Sequence, residues 1–394
     1  MKAEELKQDF PALDQEVNGK RIVYLDNAAT TQKPESVIQR IEKFYREENA
    51  NEGRSLHTLA NRATTAYESS RRRVADFIGA GKEELVFVRN TTEAMNLLAE
   101  TLELDGKIVI PEMAHHSEML PWRRKAEKEG LEIEYIPTKD HELDMEAARD
   151  IIDEDTAMVS VSHVSNVFGC RNPVKELAGI AHENDAWIAV DAAQSAAREK
   201  IDVKEMDADF LALSGHKMAG PTGIGALYGR KELLEQMEPY QVGGGMIRKV
   251  TGDEVEYGNP PGKFEAGTPN IGGAVGLSAA IDYLEEIGVE NIGEHERELN
   301  RKMVEGLEEI DGVTVYAAEE PAVVSFTSEH AHPHDVAEVL NSEGIAVRAG
   351  HHCAQPQMES LGINGTVRAS PFLYNTRGDV ERLVEAVKEV RRVF

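Results

Sequence analysis

The chain has 394 residues, 41% of them hydrophobic, which is enough to bury a large core and suggests two domains. Its 43 basic and 71 acidic residues give a formal charge of −28, which argues against nucleic-acid phosphate or an anionic membrane as a main partner. No apolar run approaches the roughly 18 residues needed to span a bilayer, and the opening MKAEELKQDF has no hydrophobic leader, so a soluble cytoplasmic protein is expected.

Two cysteines, Cys170 and Cys353, far apart and without a secretory signal, point to a reducing compartment and to free thiols rather than a disulfide framework. The acidic residues are spread through helical stretches such as Glu294 to Glu309, which fits solvated helix faces and suggests a salt-rich cytoplasm.

From Glu84 onward, short apolar runs alternate with helical stretches: LVFV then TTEAMNLLAETL, KIVI then SEMLPWRRKAEKEG, AMVSVS then PVKELAGIAHEND, and WIAV then a turn. That alternation predicts βαβ units and a mainly parallel sheet. After about Gly276 long amphipathic helices take over (LSAAIDYLEEIG, ENIGEHERELNRKMVEGLEEI), followed by short strands near VTVY, AVVSFT and IAVRA. The pattern divides the chain into a large domain, 23–282, and a smaller α+β domain built from 1–22 and 283–394.

Ligands of open α/β sheets sit beyond the carboxyl ends of the strands, so the residues that follow each strand carry the chemistry. After LVFV, RNTTEA offers the hydroxyls of Thr91 and Thr92 at a fresh helix N-terminus, which suits a phosphate and equally suits a plain cap. After KIVIPEMA, the pair His115 and His116 supplies an imidazole able to stack on a flat ring. Asn166, after AMVSVSHVS, can donate to a phenolate oxygen. Asp191, ending WIAVD, fits either a helix cap or the partner of a pyridinium nitrogen. DFLALSGHKMAGPTGIG places Ser214, His216 and Lys217 at a strand end among small residues, where a lysine can form a Schiff base with a carbonyl cofactor or stand beside a turn at the surface. Successive strand-end loops thus offer each group that pyridoxal 5'-phosphate requires. In VRAGHHCAQP, Cys353 follows two histidines; a thiol there can pack, hold a metal, pair or attack.

The ordered set YLDNAATTQKP, HTLAN, RNTTEAMN, HHSEMLPW, SHVSN, VDAAQS, SGHKMAGPTGIG, FEAGTPN, RAGHHCAQP and VRAS resembles the cysteine desulfurases of the class V aminotransferase fold, in particular the group II, SufS-like branch. The resemblance implies the fold type I architecture of pyridoxal-phosphate enzymes, with a mainly parallel seven-stranded sheet in the large domain. It implies that Lys217 links the cofactor, Asp191 partners the pyridine nitrogen, Gln194 and Asn166 contact the phenolic oxygen, and His115 stacks on the ring and handles protons. Thr91, Thr92, Ser214 and His216 would hold the phosphate, with Thr268 arriving from a second subunit of a homodimer. Arg368 would hold the substrate carboxylate, while Ala28, Ala29 and Asn166 line the pocket. Cys353 would then take sulfur from L-cysteine as a persulfide, leaving alanine, to supply iron–sulfur cluster assembly; His351 or His352 would place an imidazole near it. His334, in HAHPHD beside His332, would engage a SufU-like acceptor, with a SufE-like protein or cluster scaffold as other partners. No permanent metal is expected. Selenocysteine lyase and another class V aminotransferase or lyase are the alternatives, the aminotransferase leaving Cys353 without a role. Phe168 and Cys170 stand where the family more often has leucine and threonine, and Pro371 where an aromatic or aliphatic residue is commoner; Cys170 reads as structural.

Overall fold

The computed structural model describes residues 2–53 and 57–394. After β1 (Val23–Tyr24) and α1 (Thr58–Phe77), strands and helices alternate: β2 (Leu85–Val88), α2 (Thr91–Thr101), β3 (Lys107–Pro111), α3 (His116–Glu129), β4 (Ile133–Ile136) and β5 (Thr156–Ser162). Then come α4 (Val174–Glu183), β6 (Trp187–Asp191), β7 (Phe210–Ser214) and β8 (Gly225–Gly229). Strands β2 to β8 form one seven-stranded sheet in the order β2-β8-β7-β6-β5-β3-β4. Every pairing is parallel except those of β8, which runs antiparallel to β7 and β2.

The sequence dictates this burial pattern. Val86, Val88, Ile108, Ile110, Phe210 and Ala212 fill one apolar cluster, while their alternating neighbours Leu85, Phe87, Val109, Leu211 and Leu213 fill another. A sheet apolar on both faces must be covered on both, as parallel sheets are. Because β2, β7, β6, β5 and β3 all point the same way, the loops after them converge on one edge of the sheet.

The second half continues with α5 (Ile271–Ile287), α6 (Val289–Glu308), β9 (Val313–Tyr316), β10 (Val324–Ser328), α7 (Pro333–Ser342) and β11 (Ile345–Ala346). It closes with β12 (Arg348–Gly350), α8 (Gln355–Ser360), β13 (Thr366–Ala369) and α9 (Arg377–Val393). An antiparallel sheet, β9-β10-β13-β12, packs Phe326 and Val367 against Leu299, Met303, Leu340 and Leu383 in a separate core.

Two details depart from the sequence pattern. IAVRA is two strands: Ile345–Ala346 pairs in parallel with β1, whereas Arg348–Gly350 pairs with β13. The helix expected near Gly276 begins at Ile271, because Asn270 accepts the Gly273 N–H at 2.8 Å as its cap. The glycines in this first stretch fit close packing, since a Cβ at Gly276 would come within 2.8 Å of Ile41. We propose the division 23–282 against 1–22 with 283–394, bridged by α5, which runs through residue 282, and by β1, whose Val23 packs in the second core. No helix among the described residues is long and apolar enough to cross a membrane.

Candidate active site

The strand-end loops and the β12–β13 segment enclose a cavity of about 170 Å³. Ala28, Ala29, Thr91, Thr92, His115, Asn166 and Asp191 line it together with Gln194, Ser214, His216, Lys217, Cys353 and Arg368. Two candidates lie elsewhere. Thr268 is exposed in the loop before α5, and His334 is exposed in the first turn of α7, with Nε2 3.9 Å from the place a Cβ would take on Gly350. His332 caps α7 from just outside it, accepting the His334 N–H at 3.3 Å.

One end of the cavity suits an anion. Asn90 caps the eleven-residue α2 by accepting the Glu93 N–H, and Ser214 Oγ accepts the Thr91 N–H at 2.9 Å. Thr92 Oγ1 donates to Ser117 Oγ at 2.7 Å. Hydroxyls and the positive end of a helix dipole meet here. The His216 carbonyl receives Thr30 Oγ1 at 3.0 Å and Lys33 Nζ at 2.9 Å. Burial, then the neighbouring Lys217, pushes the His216 ring down to about 4.

The centre suits a flat ring with a basic nitrogen and a carbonyl. His115 accepts the Ser117 N–H on Nδ1 at 3.0 Å, which leaves the proton of the neutral ring on Nε2. Burial and the Lys217 charge hold it down at about 3, so it is an uncharged aromatic plate. Asp191 Oδ1 accepts the Ala193 N–H at 2.8 Å; burial raises its carboxyl and the Lys217 ammonium opposes the rise. Lys217 makes no side-chain hydrogen bond among the described residues, and burial, opposed by Asp191, lowers it to about 8. An amine partly free of its proton near neutrality is ready to attack a carbonyl. Gln194 donates from Nε2 to the Ala28 carbonyl at 2.8 Å.

The other end suits a carboxylate and a sulfur. Arg368 is buried, with Nε left without a partner, Nη1 donating to the Asn166 carbonyl at 3.0 Å and Nη2 3.5 Å from Asp26. Burial lowers it to about 10, against the pull of Asp26. Asn166 turns Nδ2 to the His352 carbonyl at 2.7 Å, so one of its two N–H groups holds the thiol loop. Cys353 is exposed and, with His352, takes a left-handed backbone, φ 56° and 53°. Its carbonyl accepts the His116 N–H at 2.7 Å, and His116 Nε2 accepts the Gln355 N–H at 3.2 Å.

Both residues expected to place an imidazole near the sulfur line the groove that holds Cys353, and His352 does so as an uncharged ring. Its ring is buried with Nε2 2.8 Å from Thr366 Oγ1, and burial followed by the Arg368 charge pushes it down to about 2. His351 stays exposed in an open groove with Cys353 and Arg348. Cys170 is a packing group: buried, 3.5 Å from Met113 Sδ, its thiol pushed up to about 12 by burial.

Two participants, Arg348 and Glu118, and the clamping role of His116 escaped the sequence reading. Arg348 lines the cavity as the cross-strand partner of Arg368, and both approach Asp26 at 3.5 Å. His116 clamps the thiol loop from both its backbone and its ring. Glu118 lies fully buried on the hydroxyls of Ser160 and Ser162, raised to about 8 by burial and by the charge of Asp191. Arg348 left a signal as the arginine of the quoted stretch around the thiol, and His116 was named beside His115 without this role; Glu118 acquires its place through α3.

Residues 23–383 match the aminotransferase class-V family. A probable cysteine desulfurase of Halalkalibacterium halodurans is 49% identical, covering 100% of this chain and 99% of its own. A cysteine desulfurase of Haloferax volcanii is 45% identical over 99% of this chain and 97% of its own. Among solved structures, a cysteine desulfurase of Thermococcus onnurineus superposes with a TM-score of 0.94 at 43% identity, covering 99% of this chain and 98% of that one.

Proposed function

This chain belongs to the aminotransferase class-V family, and we propose that within it the protein is a cysteine desulfurase of the group II, SufS-like kind. The observation that carries the reading is the presence of the Cys353 thiol, from the second lobe, in the same cavity as Lys217, Asp191 and Arg368. An aminotransferase needs the last three and has no use for the first.

Pyridoxal phosphate fits the donor set: hydroxyls and a helix N-terminus for phosphate, an uncharged imidazole for the ring face, a carboxylate for the nitrogen and an amine for the aldehyde. Bound there, it supplies an electron sink for bonds at the substrate α-carbon. The protein does the rest. Asp191 keeps a proton on the ring nitrogen, with Glu118 carrying the second carboxyl's proton. Arg368 grips the L-cysteine carboxylate with its planar fork, Ala28 and Ala29 leave room for the substrate, and Asn166 orients it. Lys217 and His115 hold or move protons beside the α-carbon. Cys353 as thiolate accepts the substrate sulfur: an S–S bond forms, the C–S bond breaks, and alanine leaves. Sulfur then passes from the Cys353 persulfide to a SufU-like or SufE-like acceptor serving iron–sulfur cluster assembly. Exposure of His334 beside Gly350, at the mouth of the thiol loop, supports its role in receiving such an acceptor. Exposure of Thr268 outside the cavity supports its donation to a partner subunit in a homodimer. A cytoplasmic, salt-rich setting is supported by the two free cysteines and the charge of −28.

Mass spectrometry after addition of L-cysteine tests the reading. One added sulfur on the Cys353 peptide is expected, and Cys353→Ser should lose it together with alanine formation, by about a hundredfold or more. Undiminished alanine formation by Cys353→Ser sinks the proposal.

A further inference from the structure

Gln194 reaches the cavity from the loop after β6, and its amide can face either way unless something fixes it. Its Oε1 accepts from Arg198 Nη1 at 3.2 Å, and its backbone carbonyl accepts from the same nitrogen. With the oxygen committed, Nε2 turns to the Ala28 carbonyl at 2.8 Å and keeps one further N–H for the cavity. Arg198 is held in turn: Nε donates to Glu296 Oε2 at 2.5 Å, with both side chains buried, 4% and 2% exposed. Its guanidinium lies 6.0 Å from the Phe372 ring centroid. Glu296 sits on α6, in the sequence assigned to the other lobe.

We propose that Arg198 and Glu296 are a positioning pair that fixes the Gln194 amide with its N–H turned into the cavity. Neither touches substrate or cofactor; they act through Gln194. A buried ion pair is a poor device for stability alone, because apolar residues of similar volume often do as well or better. Here the guanidinium adds something apolar residues cannot, a nitrogen that donates to both carbonyl oxygens of one glutamine. The pair also ties α6 of the small lobe to the loop after β6. The inference rests on the reading of Gln194 as the contact to the cofactor's phenolic oxygen.

The test uses the holoenzyme loaded with pyridoxal phosphate and the double variant Arg198→Met/Glu296→Leu, which removes the pair without stranding a buried charge. The melting temperature should stay within a few degrees. The pH midpoint of the bound cofactor's visible band should move upward by about 0.5 unit or more, because a donor to the anionic oxygen is lost. kcat should fall about fivefold with KM for L-cysteine unchanged within about twofold. Gln194→Leu serves as the reference and should give the same spectral displacement. A shift in Gln194→Leu without one in the folded double variant overturns the positioning pair alone. No shift in Gln194→Leu overturns the reading of Gln194 itself, and the pair with it. Should the double variant not fold, Arg198→Gln carries the same prediction, since Glu296, raised to about 7 by burial even beside Arg198, is free to protonate.

Discussion

The backbone N–H of His116 donates to the Cys353 carbonyl at 2.7 Å. The residue next to His115 therefore holds the loop that presents the thiol. On the far side, Asn166 Nδ2 donates to the His352 carbonyl, also at 2.7 Å. The thiol loop is pinned from two strand-end loops of the large sheet.

Removing one pin should loosen it. Asn166→Ala deletes a buried hydrogen bond of about 1 kcal/mol net, so amide exchange across residues 351–356 and alkylation of Cys353 should each accelerate about fivefold. Unchanged exchange would show that the His116 bond alone suffices.

Lys217 provides a pH dependence with a definite sign. Burial places its ammonium at about 8, below the ordinary lysine range. The free amine therefore falls about tenfold for each unit below that value. The rate at which apoprotein captures pyridoxal phosphate should rise with pH up to about 8 and then level off. Stopped-flow absorbance between pH 6 and 10 reads this, and a profile that keeps climbing past pH 10 contradicts it.

The buried histidines should make the fold sensitive to acid. His352 is held down at about 2, against about 6.5 in an unfolded chain. Its folded value is the lower one, so the stability it carries is complete above about pH 6.5 and drains away as pH falls toward 2. Melting temperature should drop steadily below pH 6.5. His352→Gln, which retains a donor for Thr366 Oγ1, should flatten that slope by one proton; an unaltered slope would assign it to His115, to His216 and to His163, which burial likewise pushes down to about 4.

Arg368→Lys retains the charge and loses the fork. KM for L-cysteine should rise about 10- to 100-fold with a smaller change in kcat. Equal loss in KM by Arg348→Lys would mean that the neighbouring arginine shares the carboxylate.

The net charge of −28 repels itself across the surface, and salt screens that repulsion. Raising KCl from about 0.1 M to about 2 M should lift the melting temperature by about 5 °C or more. A flat response would return the chain to the class of ordinary acidic proteins.

Most of the sheet was legible because apolar runs such as LVFV and KIVI are continuous when both faces are buried. The residues lining the cavity were legible because parallel strands deliver their following loops to one edge. What escaped depends on contacts across the fold. IAVRA shows no break in sequence, yet Ile345 serves β1 and Arg348 serves β13. His352 stands beside the thiol in the chain, but its Nε2 is taken up by Thr366 and burial keeps the ring uncharged. Glu118 looked like one more helical acid until α3 set it beneath Asp191, where burial removes its charge.

The left-handed pair His352 and Cys353 sets the protein a standing evolutionary cost. L-residues there strain against their own Cβ by about 1–2 kcal/mol apiece, and glycine would relax both positions. Drift toward glycine at 353 would yield a sturdier, chemically silent loop.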